Sequence, residues 1–572
     1  MKILTIHADF IEFKAKKKAL KQAEDVDTDK KRAEECLVVF TAVEKRDEAN
    51  LDSTKEKYMH EIKSIAQQVN TKNIVLYPYA HLSSKLSNPK IAEDLMKQAE
   101  LELKEQNYEV LRAPFGWYKS FDVACKGHPL SELSREFTGE GEGQESETTE
   151  LSDKEIKNLL SQISKSRLDT SKLKDNDHRI LGKNLDLWSF NEVASGMVFW
   201  HHKGLLIKNL LIDYWREVHN KNGYLEISTP QIMDKKLWLL SGHWNKYKEN
   251  MFITDYEKRH FAVKPMNCPG GMLVYKANPK SYKDLPLRMG ELGIVHRQEL
   301  SGVLAGLFRV IQFTQDDAHI FCTEDQVEDE VSKIIDIVIE MFKTFSLEFD
   351  HIELSTRPEK RIGEDRIWDL AENALANVLK KRNIEYKVNE GDGAFYGPKI
   401  DFHLKDSLSR SWQCSTIQLD MALPERFDLE YIDKDGSAKR PIMLHRVVYG
   451  AIERFIGIMF EHLNGKLPLW ISPVQVKVLT INDSHIPFAK EIAKDMEKVG
   501  LRIELDDRTE SMGKKVREAQ LGKVNYIVTI GDKELENKTL AVRNRAGETK
   551  FKVNPKEFIK ELVEEVEKKE VK

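Results

Sequence analysis

HRQELSGVLAGLFRVIQFTQDDAHIFC, running from His296 to Cys322, is the stretch on which the reading of this 572-residue chain turns. Arg297 and Glu299 are two apart, a spacing that on a strand puts both on one face. A glycine-containing loop follows, and Arg309 then opens a second strand leading into QDDAH. Two arginines on an antiparallel hairpin suit a polyphosphate, because the guanidinium is permanently charged and bonds bidentately. On spacing alone, surface salt bridges with nearby carboxylates are the favoured reading of these arginines. Asp317 alone reads as a helix cap or an ion-pair partner.

The hairpin sits in one large block, about 180–467, with aromatic-rich helices (197–218) and many short strand signals. Its size suits a large α+β enzyme domain. Before it, 1–137 alternates strand-like runs (3–8, 36–43, 73–80, 121–125) with helical patterns at Lys55–Val69 and Lys90–Glu105, an α/β domain. Between the two lies 138–179: TGEGEGQESETTE (138–150) reads as a flexible linker, followed by polar, partly helical stretches. The last part, 468–572, returns to α/β alternation. Its helices are expected at 486–500, ended by Gly500, and at 555–569, opened by Pro555.

Hydrophobic residues make up 41% and charged residues 32%, with a formal charge of −5, which fits a charge-rich globular protein. No run approaches the roughly 18–20 apolar residues of a membrane span. The apolar start MKILTIHADF is too short for a signal peptide. The expected location is cytoplasmic, with neither membrane nor DNA among the partners. Five scattered cysteines, with no CxxC pair, argue against a disulfide framework or a zinc ribbon.

His296–Cys322 resembles motif 2 of class II aminoacyl-tRNA synthetases, an arginine and a glutamate, a loop, then a second arginine. PIMLHRVVYGAIERFIG (441–457) resembles motif 3, and GYLEISTPQI (223–232), with Pro230, resembles motif 1. KPMNCPGG (264–271), FTQDDAHIF (313–321), GAFYGPKIDF (393–402), WQCSTIQLD (412–420) and MLHR (443–446) are similar to threonyl-tRNA synthetases, here of the archaeal type. The fold so implied has an α/β editing domain, a class II catalytic domain built on an antiparallel sheet, and an α/β anticodon-binding domain. The resemblance implies ATP with Mg2+, L-threonine and tRNA(Thr) as partners, and a homodimer. Arg297 would meet the α-phosphate, Arg309 and Arg454 the outer phosphates, and Glu299 and Gln413 would place the nucleotide.

It also implies one zinc ion per subunit on Cys268, His319 and His445. These lie 51 and 126 residues apart, so local spacing does not reveal them. Taken singly, each is an ordinary buried thiol or a satisfied histidine. Together they make a site of one thiolate and two imidazoles with an open position, which threonine would fill through its amino group and hydroxyl. Asp317 would accept the hydroxyl proton, and Gln315, Tyr396 and Gln418 would line the pocket. Valine lacks the hydroxyl. Serine keeps it and lacks only a methyl, worth about 10–200-fold, so a second, editing site is expected.

For editing, MKILTIHADFIEF (1–13), YPYAHLSS (77–84), APFGWYKSF (113–121) and CKGHPLSELSR (125–135) look like the archaeal editing domain, itself similar to D-aminoacyl-tRNA deacylases. His81, Tyr118, Lys119 and Glu132 would surround the seryl ester, with Glu132 pairing Lys119 and Cys125 structural. GDKELENKTLAVRNRAGE (531–548) resembles the class IIa anticodon-binding domain, where Glu534 and Arg543 would contact anticodon bases. Arg508 and Lys514 read equally as backbone contacts or solvated surface charges. Gly271, Leu300 and Ala451 depart from the common histidine, proline and serine, and none is expected to touch a zinc ligand or a phosphate-binding arginine. The rivals are a prolyl or seryl synthetase, a non-catalytic RNA-binding relative, and a synthetase whose editing domain is idle.

Overall fold

The computed structural model describes residues 1–137 apart from 21, 84 and 129, residues 156, 157, 159 and 160, and 173–571 apart from 258, 407 and 408. The side chain at 301 is also outside the description. Of the expected linker region, residues 138–155, 158 and 161–172 lie outside the described residues, including all of 138–150 and most of the polar helical stretch after it. Two compact units result, Met1–Ser152 and Asp153–Lys572.

In the first unit, β1 (Lys2–Lys18), β2 (Lys31–Ala42), β3 (Asn73–Pro78), β4 (Glu109–Arg112) and β5 (Trp117–Cys125) form a mixed sheet in the order β4-β3-β2-β1-β5. A sixth strand, β6 (Glu132–Glu136), also pairs with β1. Leu37 and Val39 of β2 pack with Tyr58 and Ile62 of α1 (Leu51–Gln68) and Leu95 and Met96 of α2 (Pro89–Glu105). Cys36, Val38 and Phe40 point the other way, against Ile11, Phe13 and Tyr77. Burial on both faces is why CLVVFTAV reads as an unbroken apolar run rather than an alternating one. The short strands β4 and β6 carry no such run and are not visible in the sequence.

The second unit is built on an eight-stranded sheet. The parts that position the site are α3 (His202–Lys221), β7 (Leu225–Glu226), α4 (Cys268–Lys276), β8 (Leu287–His296), β9 (Gln312–Cys322), α5 (Val327–Lys343), β10 (Glu348–Ser355), α6 (Asp365–Lys381), β11 (Lys387–Asn389), β12 (Lys399–Lys405), β13 (Ser411–Asp420), β14 (Ile442–Ala451) and α7 (Ile452–His462). The order is β11-β10-β12-β13-β14-β9-β8-β7, antiparallel from β10 to β8 and parallel at both edges. Strand β9 shows the division of labour. Ala318, Ile320 and Cys322 enter the core that α5 closes with Val331, Ile334, Ile335 and Val338. Gln315, Asp317 and His319 alternate onto the opposite face.

Two local expectations need adjustment. The helix expected at 197–218 starts only at His202, because Phe199–Trp200 pairs with Trp188–Ser189. Arg297 and Glu299 lie just past the end of β8, and Arg309 precedes β9 rather than opening it. One more rung survives there, Arg297 N–H donating to the Ile311 carbonyl at 2.9 Å, before the loop turns away.

The chain ends in a five-stranded sheet of β15 (Val476–Thr480), β16 (Ile503–Asp506), β17 (Tyr526–Ile530), β18 (Leu540–Asn544) and β19 (Thr549–Val553), in the order β16-β15-β17-β18-β19. Gly500 sits at φ +83° just past its helix, as expected of a C-terminal glycine. The expected boundary at 467/468 is a tightly bonded junction. Arg545 and Asn525 both donate across it to the Leu467 carbonyl, at 2.7 and 3.1 Å, and Lys203 pairs with Glu504 at 3.2 Å. The catalytic and C-terminal sheets lie in one compact unit.

Candidate active site

The arginines meet. Arg297, Glu299, Arg309, Gln413 and Arg454 line one cavity of about 350 Å³, together with Gln315 and Ala451. Glu299 pairs with Arg309 at 2.9 Å. The Nε protons of Arg297 and Arg454 go instead to the carbonyls of Pro265 (3.2 Å) and Phe308 (3.0 Å), so their charge is not neutralised by those bonds. Arg297 also lies over Phe313, 5.1 Å from the ring centre. Burial, then the nearby Arg309 and Arg297, lower the pKa of Arg454. Like charges held together in a part-buried cavity favour an anion there. Gln413 donates to Asp401 at 2.7 Å, which fixes its amide at the cavity wall.

Motif 3 reaches this cavity through a bulge near the end of β14 that only glycine fits. Gly450 has φ +75°, and a Cβ there would come within 2.8 Å of the Cys414 carbonyl oxygen. Asp316, facing away from Asp317, accepts from the N–H groups of Val448, Tyr449 and Gly450 at 2.9–3.0 Å and holds that bulge.

Cys268, His319 and His445 also converge, their ligand atoms all within 4.8 Å of one another. The sheet register explains this: His319 on β9 is paired with His445 on β14, which is paired with Gln418 on β13. Cys268, the first residue of α4, closes the group from above the sheet. All three are buried. Neither ring nitrogen of His319 has a hydrogen-bond partner, a deficit that costs about 1–3 kcal/mol per atom unless something binds there. Burial raises the Cys268 thiol and lowers His319 to about 3, so the neutral imidazole keeps one nitrogen lone pair free to bind. His445 Nε2 lies 2.8 Å from Asp420 Oδ2, the carboxylate partner that metal-bound histidines usually have. The donor set fits a zinc ion: two imidazoles, a thiol that a cation would deprotonate, and buried ring nitrogens without a partner.

Around this group, Asp317 accepts from Asn267 at 3.3 Å, and burial raises its pKa. The Tyr396 ring lies 5.5 Å from that of His445, and Gln418 donates to the Gly397 carbonyl at 3.1 Å. Gln315, two residues from Asp317 on the same face of β9, lines the arginine cavity and so joins the two parts. Asn267 and Asp420 were not singled out in the sequence, although each sits within a quoted motif beside or near a ligand. One expectation fails: Gly271 lies against a proposed ligand, since a Cβ there would sit 3.3 Å from His319 Nδ1.

In the N-terminal unit, His81, Tyr118 and Lys119 line a cavity of about 340 Å³ with Tyr77, Phe115 and Phe121. Lys119 Nζ donates to the carbonyls of Pro114 (2.8 Å) and Trp117 (3.0 Å), and burial lowers its pKa to about 8. Glu132 is not among the lining residues. It stands exposed on β6 opposite Ile6, whereas Lys119 is opposite Ala15, nine positions along β1. The expected Lys119–Glu132 pair is therefore not formed. Cys125 is exposed at the end of β5.

In the C-terminal sheet, Glu534 accepts from Gly531 N–H at 3.1 Å, capping its own short helix, and Arg543 lies on β18 with a buried, unpartnered Nε. Arg508 pairs with Asp506 and Glu518, and Lys514 with Glu510, all at 2.5–2.6 Å. Those two therefore read as surface ion pairs. Among the described residues, no helix is long and apolar enough to cross a membrane.

A largely antiparallel sheet with two arginines in the loop that joins β8 to β9, and a third on the helix that follows the neighbouring strand β14, defines the catalytic core of a class II aminoacyl-tRNA synthetase. Residues 247–463 match the class II core domain of the G, H, P, S and T synthetases, and 475–565 match an anticodon-binding domain. Residues 1–137 match the Archaea-specific editing domain of threonyl-tRNA synthetase. A solved structure titled as the RNA binding domain of threonyl-tRNA synthetase from Cryptosporidium parvum Iowa II is 41% identical. The match covers 68% of this chain and 98% of that one, with a TM-score of 0.65. The chain belongs to the threonyl-tRNA synthetase family. Threonine–tRNA ligases of Caldanaerobacter subterraneus subsp. tengcongensis and Clostridium tetani are 54% and 53% identical, each over 69% of this chain. The chain spans only 61% and 62% of the length of those two relatives.

Proposed function

We propose that this protein ligates L-threonine to tRNA(Thr) and hydrolyses seryl-tRNA(Thr) formed in error. Threonine's carboxylate oxygen attacks the α-phosphorus of ATP; the new O–P bond gives threonyl-adenylate, and the bond to pyrophosphate breaks. A ribose hydroxyl at the tRNA 3′ end then takes the acyl group, and AMP leaves. Arg297 meets the α-phosphate, Arg309 and Arg454 hold the departing pyrophosphate, and Glu299 and Gln413 place the nucleotide. Such a reaction needs positioning and fixed positive charge more than covalent help from the protein. Magnesium accompanies the ATP.

Cys268, His319 and His445 would hold zinc in this reading, and the ion would supply a Lewis acid for threonine's amino group and hydroxyl. Asp317 takes the hydroxyl proton in a hydrogen bond, while Tyr396, Gln418 and Gln315 shape the pocket. An apolar pocket separates such isosteres by only about 10²-fold, whereas a site built to engage the hydroxyl rejects valine by about 10⁴–10⁵. The observation that carries the proposal is the meeting of a thiol and two imidazoles within 4.8 Å on the sheet face of the arginine cavity.

Serine passes that filter, so the N-terminal cavity takes the seryl ester. His81 and Tyr118 flank it, and Lys119 holds the ester or takes a proton from the attacking water; Glu132 has no part in that cavity. Glu534 and Arg543 meet anticodon bases. The protein acts in the cytoplasm as a homodimer through motif 1. In support, β7 is an edge of the eight-stranded sheet, and Leu225 on it and Ile232 later in the same motif are 59% and 55% exposed.

ATP–pyrophosphate exchange supported by threonine, serine and valine tests the reading. Threonine should exceed valine by about 10⁴ or more, and serine should be activated measurably. Equal exchange with threonine and valine, or exchange with proline instead, overturns it.

A further inference from the structure

Two histidines and a glutamate meet farther out on the same sheet face. His351 and Glu353 are two apart on β10, and His403 on β12 is paired with His351. Alternation turns them away from the core side, where Leu354, Phe402 and Leu404 are buried. Both flanking ladders shift register at this level, between Phe349 and His351 on β10 and between Phe402 and His403 on β12. Such bulges re-aim side chains.

The imidazoles stack with centres 4.2 Å apart and planes 12° from parallel. Both aim Nε2 at one carboxylate: His351 at 3.1 Å from Glu353 Oε1, His403 at 3.6 Å from Oε2. The ligand atoms lie within 4.8 Å of one another. Outer partners are in place. Asp350 Oδ2 is 2.8 Å from His351 Nδ1, and Asn389 donates to Glu353 Oε2 at 3.0 Å. The three side chains are 18–22% exposed, so an ion can reach them from solvent.

We propose that His351, Glu353 and His403 form a second transition-metal site, distinct from the cysteine-containing one, binding a divalent ion through two imidazole nitrogens and a carboxylate. Two stacked imidazoles sharing one carboxylate are poorly arranged for two protons, since the like charges would face each other. They are well arranged for one shared cation. With Nδ1–H donating to Asp350, His351 would present Nε2 to the ion, the carboxylate–histidine–metal arrangement. Two imidazoles and a carboxylate, with water in the remaining positions, suit Zn2+, Co2+ or Ni2+ rather than Mg2+ or Ca2+. The ion would tie β10 to β12, whose Asp401 holds Gln413 at the arginine cavity.

The test uses the full chain, stripped with a chelator and titrated with Co2+ or Zn2+, against a His351→Asn/His403→Asn double variant and a Glu353→Gln variant. Whatever the Cys268 group holds cancels in the difference. Wild type should bind one equivalent more than either variant. The Co2+ difference spectrum should show ligand-field bands without a thiolate charge-transfer band. Circular dichroism and threonine-dependent exchange report that each variant is folded. Equal stoichiometry in folded wild type and variants overturns the proposal, as does a difference spectrum carrying the thiolate band.

Discussion

Asp317→Asn isolates the step by which the side-chain hydroxyl is read. Asp317 is buried on β9, with Oδ2 3.8 Å from His319 Nε2 and bonded to Asn267 at 3.3 Å. Asparagine keeps its shape and still accepts from Asn267 through its own carbonyl oxygen. What it loses is the anionic acceptor. A hydrogen bond to a charged group contributes about 1.5–3 kcal/mol net, which converts to a loss of about 10- to 150-fold in kcat/KM for threonine. Valine has no hydroxyl to present, so its weaker exchange should change by less than about twofold. The assay is ATP–pyrophosphate exchange over a range of each amino acid, with zinc content and the circular-dichroism melt measured on the same samples. Zinc content should be unchanged, because Asp317 is not a ligand. If the two amino acids lose activity in step, or threonine loses none, Asp317 does not read the hydroxyl.

Other consequences are equally direct. Gly271→Ala puts a methyl 3.3 Å from His319 Nδ1, so the ring must shift by a few tenths of an ångström and metal affinity should fall, measurable by chelator competition; unchanged affinity would show that the ring yields freely. Lys264 and Glu291 form a buried pair at 2.9 Å, both tied to Thr229; Lys264→Met should cost about 3–5 kcal/mol in denaturant unfolding, and a loss under about 1 kcal/mol would mean the pair is not what holds motif 1 to β8. With its pKa lowered to about 8, Lys119 gains neutral amine as pH rises. If that amine takes the water's proton, seryl-tRNA(Thr) hydrolysis should climb about tenfold from pH 7 to pH 9. Lys119→Arg should flatten the profile, and a flat wild-type profile would leave Lys119 only a fixed charge.

What the sequence made legible was mostly local. Gly500 and Pro555 mark helix ends by backbone preference, and the apolar run at 36–43 announces a strand buried on both faces. The zinc group is the opposite case. Cys268, His319 and His445 come together through a helix start and the pairing of β9 with β14, and neither spacing nor periodicity encodes that pairing. They were found by resemblance alone. Resemblance also has limits: it carried Glu132 into the editing site, but β6 pairs with the far end of β1. It treated Gly271 as remote from the ligands, a distance only the packing of α4 over β9 could give. A spacing of two places Arg297 and Glu299 on one strand, yet β8 ends at His296, the last rung is the Arg297 N–H, and Glu299 already lies in the loop between the two arginines.

The most direct test is an anomalous-difference map of the crystallised full chain, recorded above and below the zinc absorption edge. The account predicts a peak about 2.3 Å from Cys268 Sγ and about 2.0–2.1 Å from one nitrogen each of His319 and His445. Zinc-replete crystals in which those three side chains stay clustered but no peak lies between them would contradict it.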